Sequence, residues 1–282
     1  MFVFLQRLMT VFVLLVVVGA VVLFALPDRR QQLDRLWVNL TREANSFRYR
    51  TGRPLPGTPD LARLDERLQA KGVQHGAPVF LRIFKLESEL ELWMEKDERY
   101  VLFATYPVCR WSGRLGPKFK EGDAQAPEGF YAVSKEQLNP NSRWHRSFNL
   151  GYPNEFDRAH GRTGSFLMVH GGCQSIGCFA MTNGVVDEIW RLVTAALDGG
   201  QTRFPVHVFP FRMTDGNLDA RKVYSWSGFW ADLKAGHDLF EQSRIPPAVS
   251  VCDGRYAFEP GRIETVSRPV AVRCPPALAG NP

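Results

Sequence analysis

The run Phe166-Leu167-Met168-Val169-His170-Gly171-Gly172-Cys173-Gln174-Ser175-Ile176-Gly177-Cys178-Phe179-Ala180-Met181 passes from apolar to Gly-rich and back to apolar. Phe166 to Val169 is an apolar strand that delivers His170 to its end. A Gly-rich turn follows and ends at Cys178. A helix then starts after Thr182-Asn183, either of which can cap it, with Asp187 and Glu188 in its first turns. Its apolar face runs through Val185, Ile189, Trp190, Val193 and Leu197, and it stops at Gly199-Gly200. A nucleophilic thiolate needs a base within hydrogen-bond reach and N–H groups to hold the oxyanion. His170 and Cys178 supply the first pair, and Gly177 lets the backbone approach a substrate so that its N–H and that of Cys178 can point at one oxygen. Two other readings stand beside this one. His170, Cys173 and Cys178 have the spacing His-x2-Cys-x4-Cys of a zinc set that lacks a nearby fourth ligand. Alternatively Cys178 is a small buried hydrophobe and His170 a satisfied core histidine.

Short β-rich runs precede this segment at hairpin distance, Val79 to Phe84, Leu90 to Met94 and Tyr100 to Tyr106, and Phe130 to Val133 is a further strand. Gly113 to Gly129 reads as a long ordered loop. After the helix come a strand at Phe204 to Phe211, an amphipathic helix at Phe229 to Phe240 and a hairpin over Ala248 to Phe258 turning at Asp253-Gly254. The fold class is therefore mainly β with α, an α+β mixed sheet or sandwich with flanking helices.

The 282 residues are 45% hydrophobic and 23% charged, which excludes a disordered or fibrous chain. Net charge is +6, and residues 28–53 carry seven Arg against Asp28, Asp34 and Glu43. No binding motif accompanies that charge, so nucleic acid is not expected as a partner. Leu8 to Leu26 is nearly all apolar and would span about 28 Å as a helix, close to a bilayer core. An uncleaved anchor is expected there, with a signal peptide cleaved after Val18-Gly19-Ala20 as the rival. The organisation that follows is an anchor over 1–27, a basic, partly helical connector over 28–76, a catalytic domain over 77–214 and a helix-and-hairpin extension with a loose tail over 215–282.

The segment resembles the signature of the YkuD-type L,D-transpeptidase catalytic domain, in which a strand-end His-Gly is joined to Ser-x-Gly-Cys. His170-Gly171, Ser175, Gly177 and Cys178 match it. Gly116-Pro117-Lys118 and Glu121 to Tyr131 are similar to the family's approach strand, and the form His-Gly-x-Cys-x-Ser-x-Gly-Cys-x-Ala-Met is similar to a YafK-like branch. The resemblance covers about residues 77–214. It departs from the usual pattern at Ile176, where His is common, and at Ala180, where many members carry an Arg beside the substrate.

The resemblance implies an L,D-transpeptidase-like fold and a peptidoglycan acyl-transferase. Cys178 attacks the diaminopimelate carbonyl of a wall stem peptide and expels D-Ala, with His170 as base and Gly177, Ser175 and Gly171 shaping the oxyanion turn. A second stem resolves the thioester. Hydrolysis of a lipoprotein–peptidoglycan link is the alternative use of the same thioester, and a non-catalytic wall-binding domain is the other. No metal or organic cofactor is required. The substrate puts the catalytic domain in the periplasm, with the N-terminal segment in the inner membrane.

Lys118, Glu121 and Tyr131 are candidates for the substrate groove. His160, in a polar Gly-rich stretch, competes with His170 as base and is otherwise a substrate-loop residue. His170 is preferred because a strand end holds a base rigidly. Cys252 and Cys274 can pair in an oxidising compartment, whereas Cys109 has no evident partner.

Overall fold

The computed structural model describes residues 2–25 and 29–274, and of these 2–5 and 20–25 through their backbone only. Three consecutive strands, β1 (Val79–Phe84), β2 (Glu89–Lys96) and β3 (Arg99–Pro107), form the expected antiparallel meander. β10 (Arg203–Phe209) lies parallel beside β1, and β5 (Gly129–Ser134) closes the sheet in the order β3-β2-β1-β10-β5. Every residue of β1 is buried, because both faces are covered. On one face Phe80 and Trp93 each meet Phe240 of helix α7 (Ser227–Ser243), at 4.9 Å between ring centres. Against the other lies α5 (Asn183–Asp198).

A second five-stranded sheet is made of β4 (Arg110–Trp111), β6 (Leu138–Ser142), β7 (His145–Asn149), β8 (Met168–His170) and β9 (Phe179–Ala180), in the order β4-β9-β8-β7-β6. α5 is the element common to both sheets, touching β1 and β10 of one and β7 and β8 of the other. Thr182 caps it by accepting from the Val185 N–H, as the sequence predicts. Val185, Val186, Ile189, Leu192 and Val193 are fully buried along it, each contributing about 1.5–3 kcal/mol of burial.

The predicted hairpin is present as β11 (Ala248–Cys252) and β12 (Arg255–Glu259), with β13 (Ala271–Val272) beside β11. Asp253 and Gly254 both have positive φ, 49° and 73°, as a two-residue turn of this hand requires. Helices α3 (Leu64–Lys71), α4 (Glu155–Ala159) and α6 (Asp215–Asp219) complete the body. Neither β6, Leu-Asn-Pro-Asn-Ser, nor α4 has a hydrophobic period long enough to be read from sequence.

The first part of the 28–76 segment is one helix, α2 (Arg29–Arg50), packed along the body. Asp34 accepts from Arg221 at 2.8 and 2.9 Å and from the Tyr224 hydroxyl at 2.8 Å. Val38 joins the main core, Arg42 lies 4.1 Å over the Trp111 ring, and Asn45 donates to the Val108 carbonyl. Of the 215–282 extension, Trp230, Leu233, Val251 and Tyr256 lie in the same core.

The backbone over Phe2–Ala25 is a helix, α1. Among the described residues no helix is long and apolar enough to cross a membrane. Ala20 to Ala25 of the expected anchor are described by backbone alone, and Leu26 lies outside the described residues, as does most of the expected tail, 275–282.

Candidate active site

β8 and β9 run side by side in parallel, with Val169 opposite Phe179 and His170 opposite Ala180. Because the pair is parallel, residues 171–178 run back from the C-terminal end of β8 to the start of β9, which leaves Cys178 level with Met168, two residues short of His170 along the strands. His170 and Cys178 both line a cleft of about 680 Å³. The predicted strand is shorter than its apolar run. Phe166 is 71% exposed with φ 53°, so the chain turns there and β8 begins only at Met168.

Cys178 is the one unpaired cysteine among the described residues. Its thiol points at the Phe166 carbonyl (3.6 Å) and receives the Met168 N–H (3.5 Å). Burial pushes the thiol up from its ordinary range, and the Met168 N–H and the charge of Lys118 pull it partly back. His170 is buried under Trp144, whose ring centre is 6.2 Å away. Its Nδ1 lies 2.6 Å from the Gly171 carbonyl. A carbonyl only accepts, so Nδ1 carries the proton and Nε2 is left with its lone pair. Burial lowers the His170 pKa, and the Gly171 hydrogen bond opposes this. The pair therefore rests as neutral thiol and neutral imidazole at pH 7.

The turn is braced by a residue that the sequence does not single out. Ser112 Oγ accepts from the Gly177 N–H at 2.5 Å and lies 3.2 Å from Ser175 Oγ, which donates to the Cys178 carbonyl at 2.7 Å. This corrects the expectation for Gly177, whose N–H is held by Ser112 instead of facing the cleft. Gly177 is required for its conformation, φ 98°, and a Cβ there would sit 3.0 Å from Leu167 Cδ2. Gly171 is packed against Asn183, His145 and Trp144, so its role is close packing next to the base.

Ser112 is fixed in turn by the 113–129 loop, which is ordered because it is tied to the core. Lys85 and Glu128, both fully buried, pair at 2.9 Å. Lys85 also donates to the carbonyls of Gly116 and Ala126, and Glu128 accepts from the Gly116 N–H and from Trp230 Nε1. A buried pair of this kind is held only because its remaining donors and acceptors are matched.

Cys173 is bonded to Cys109, with their Cα atoms 5.3 Å apart. That gives Cys109 the partner that spacing did not reveal, and removes Cys173 from any zinc set with His170 and Cys178. Cys252 and Cys274 form the second disulfide.

The four substrate-groove candidates all lie outside the cleft. Lys118 is buried, donating to Asp123 at 2.5 Å and to the Lys120 carbonyl at 2.8 Å. Tyr131 is a core residue of β5, its hydroxyl between the Glu128 carbonyl and Asp157. Glu121 accepts from the Ser165 hydroxyl at the surface. His160 closes α4, donating Nδ1–H to the Phe156 carbonyl with its ring 4.2 Å from the Phe156 ring. The cleft is walled instead by Glu43, Ser46, Tyr49 and Arg50 of α2, by Arg110, and by Arg143 and Trp144. No local motif marks these side chains, because three separate segments bring them together.

Comparison with known proteins agrees with the sequence signature. A family model described as the YkuD L,D-transpeptidase catalytic domain matches residues 85–208. YafK of Escherichia coli (strain K12), provisionally named an L,D-transpeptidase, is 48% identical over 207 residues, covering 73% of this chain and 81% of that protein. Among solved structures, a point mutant of the helical cell shape determining protein Pgp2 from Campylobacter jejuni matches with a TM-score of 0.40 at 19% identity, over 65% of this chain and 66% of that one, just under two thirds of its length. Bd1075 of Bdellovibrio bacteriovorus matches with a TM-score of 0.35 at 16% identity, over 61% of this chain and 76% of that one.

Proposed function

Because the chain belongs to the YkuD-type L,D-transpeptidase family, we propose that it is a peptidoglycan L,D-transpeptidase with Cys178 as nucleophile and His170 as general base. The observation that carries this reading is that the one unpaired cysteine and the buried histidine line a single cleft, while the other four cysteines are paired.

Nε2 of His170 takes the thiol proton as Cys178 Sγ attacks the diaminopimelate carbonyl of a stem peptide. The tetrahedral oxyanion collapses, the C–N bond breaks, and the imidazolium returns its proton to the departing D-Ala amine. A stem amine then attacks the thioester, His170 takes a proton from that amine, and the thiolate leaves and is reprotonated. Water as the resolving nucleophile would make the same site a hydrolase of lipoprotein–peptidoglycan links. Ser112, through the Gly177 N–H, and Ser175, through the Cys178 carbonyl, hold these two residues in place through these steps. The chemistry asks for no metal or organic cofactor.

The substrate lies outside the cytoplasm, so the domain is placed in the periplasm, tethered to the inner membrane by residues 8–26. The two disulfides support an oxidising compartment. Mass spectrometry of wall fragments incubated with the protein tests the reaction. Tetrapeptide stems should lose D-Ala and appear as cross-linked dimers, and Cys178→Ala should give neither. Release of wall-bound lipoprotein without dimers would assign the hydrolytic fate instead, and no change in any fragment would leave a wall-binding domain.

A further inference from the structure

The cleft beside Cys178 is cationic, and most of its charge is unspent. Arg50, Arg110 and Arg143 line it, against Glu43 as the sole acid of the lining. Arg110 is partly committed, lying 3.3 Å from Glu43 Oε1 and 3.0 Å from Ser46 Oγ. Arg50 and Arg143 have no acidic partner among the described residues. Arg50 donates Nε–H to the Ser46 carbonyl at 3.4 Å, and the Arg143 guanidinium sits 5.3 Å over the Trp144 ring. The two approach the cleft from different walls, one at the C-terminal end of α2 and one in the turn between β6 and β7.

Ala180, two residues beyond the thiol on β9, is fully buried and offers the cleft no charge, so the cationic groups come from other segments. An arginine fork is suited to a carboxylate, which it can hold through two parallel N–H bonds. Resting on the reading of Cys178 as the nucleophile, we propose that Arg50 and Arg143, with Arg110, bind a free carboxylate of the wall stem peptide and set its position over Cys178. The helix before the catalytic domain thereby supplies part of the substrate site. The carboxylate has two sources within reach of the scissile bond: that of the terminal D-Ala, and the second one of diaminopimelate.

Binding to the full-length Cys178→Ala protein tests this without turnover. Three soluble tetrapeptide stems are titrated: one with free carboxylates, one with D-Ala as its carboxamide, and one amidated on diaminopimelate. The free stem should bind about ten- to a hundredfold more tightly than one of the amides, the range of a charge-assisted contact, and the amide that loses affinity identifies the source. Arg50→Gln and Arg143→Gln should each shrink that gap, Arg50→Lys and Arg143→Lys should restore part of it, and the double Gln variant should bind all three stems alike. The same Arg substitutions made in the protein that keeps Cys178 should leave labelling of that thiol by iodoacetamide, a neutral reagent, at the wild-type rate, which shows that the cleft is intact. Should one variant unfold, the other, on the opposite wall, carries the test. Equal binding of all three stems by the parent, or a gap that survives both Gln substitutions, overturns the proposal. A gap in the parent that the Gln substitutions abolish, in a protein that turns over no stem, would overturn the reaction while leaving the carboxylate site standing.

Discussion

Cys178 and His170 are held neutral by the same cause, burial, acting in opposite directions on a thiol and an imidazole. A neutral pair must move its proton during attack, so the base carries more of the rate than in a preformed thiolate–imidazolium pair. His170→Gln should therefore slow acylation of Cys178 by about two to four orders of magnitude, measured by single-turnover mass spectrometry. Cys178→Ala should abolish acylation and leave stability within about 1–2 kcal/mol, measured by urea denaturation. The pH dependence has a definite sign. The base works only when unprotonated, and its pKa lies below the ordinary 6.5. Activity should thus persist as pH falls through 6.5 and be lost only below it, and an acid limb of kcat/KM at or above 6.5 would contradict the neutral-imidazole assignment. His170 could be preferred to His160 from sequence because an apolar strand end and a polar Gly-rich stretch differ in period and composition. The roles offered for Lys118 and Tyr131 were not so marked. A lysine in a polar loop gives no sign that an acid five residues on will bury it, and an aromatic on a strand does not say which face it takes.

The turn between β8 and β9 is held from three directions: by Ser112, by the cap region of α5 through Asn183, and by the Cys109–Cys173 disulfide. From sequence Cys173 is at most a zinc ligand, whereas the structure pairs it with Cys109. The disulfide closes a separation of 64 residues and is buried against Leu55 and Tyr49. Cys173→Ala should cost about 2–4 kcal/mol of stability and slow the acylation of Cys178, with thermal unfolding and carbapenem labelling as the readouts. The Thr182 cap, the Gly199 stop and the Asp253-Gly254 turn could be read because each depends on one or two residues and local geometry. α2 could not, because its buried stripe is Asp34, Val38, Arg42, Asn45 and Ser46. The spacing is helical, but only one member is apolar, so a hydrophobic period has nothing to report.

α2 and the C-terminal part of the chain are joined through a buried charge pair. Arg221 is fully buried and Asp34 nearly so. Removing one partner strands the other, so Asp34→Ala should destabilise the protein by about 3–5 kcal/mol in urea titration. Because α2 also forms the wall of the cleft, the same variant should lose stem binding before it loses its fold. For the intact protein, N-terminal sequencing should find residues 8–26 retained, and a mature chain beginning after Ala20 or Ala25 would remove the anchor but not the compartment.

The firmness of α2 has a spatial consequence. Its 22 residues measure about 33 Å end to end. It is pinned near its start by Asp34 and near its end by Asn45, so it cannot swing like a leash. α2 and the cleft that its last turns wall therefore move as one body, and the proposed anchor would act on that body from the start of α2. Under the proposed anchoring, such a body would reach only stem peptides within its own dimensions of the membrane, and identical peptides deeper in the wall would lie beyond its stand-off.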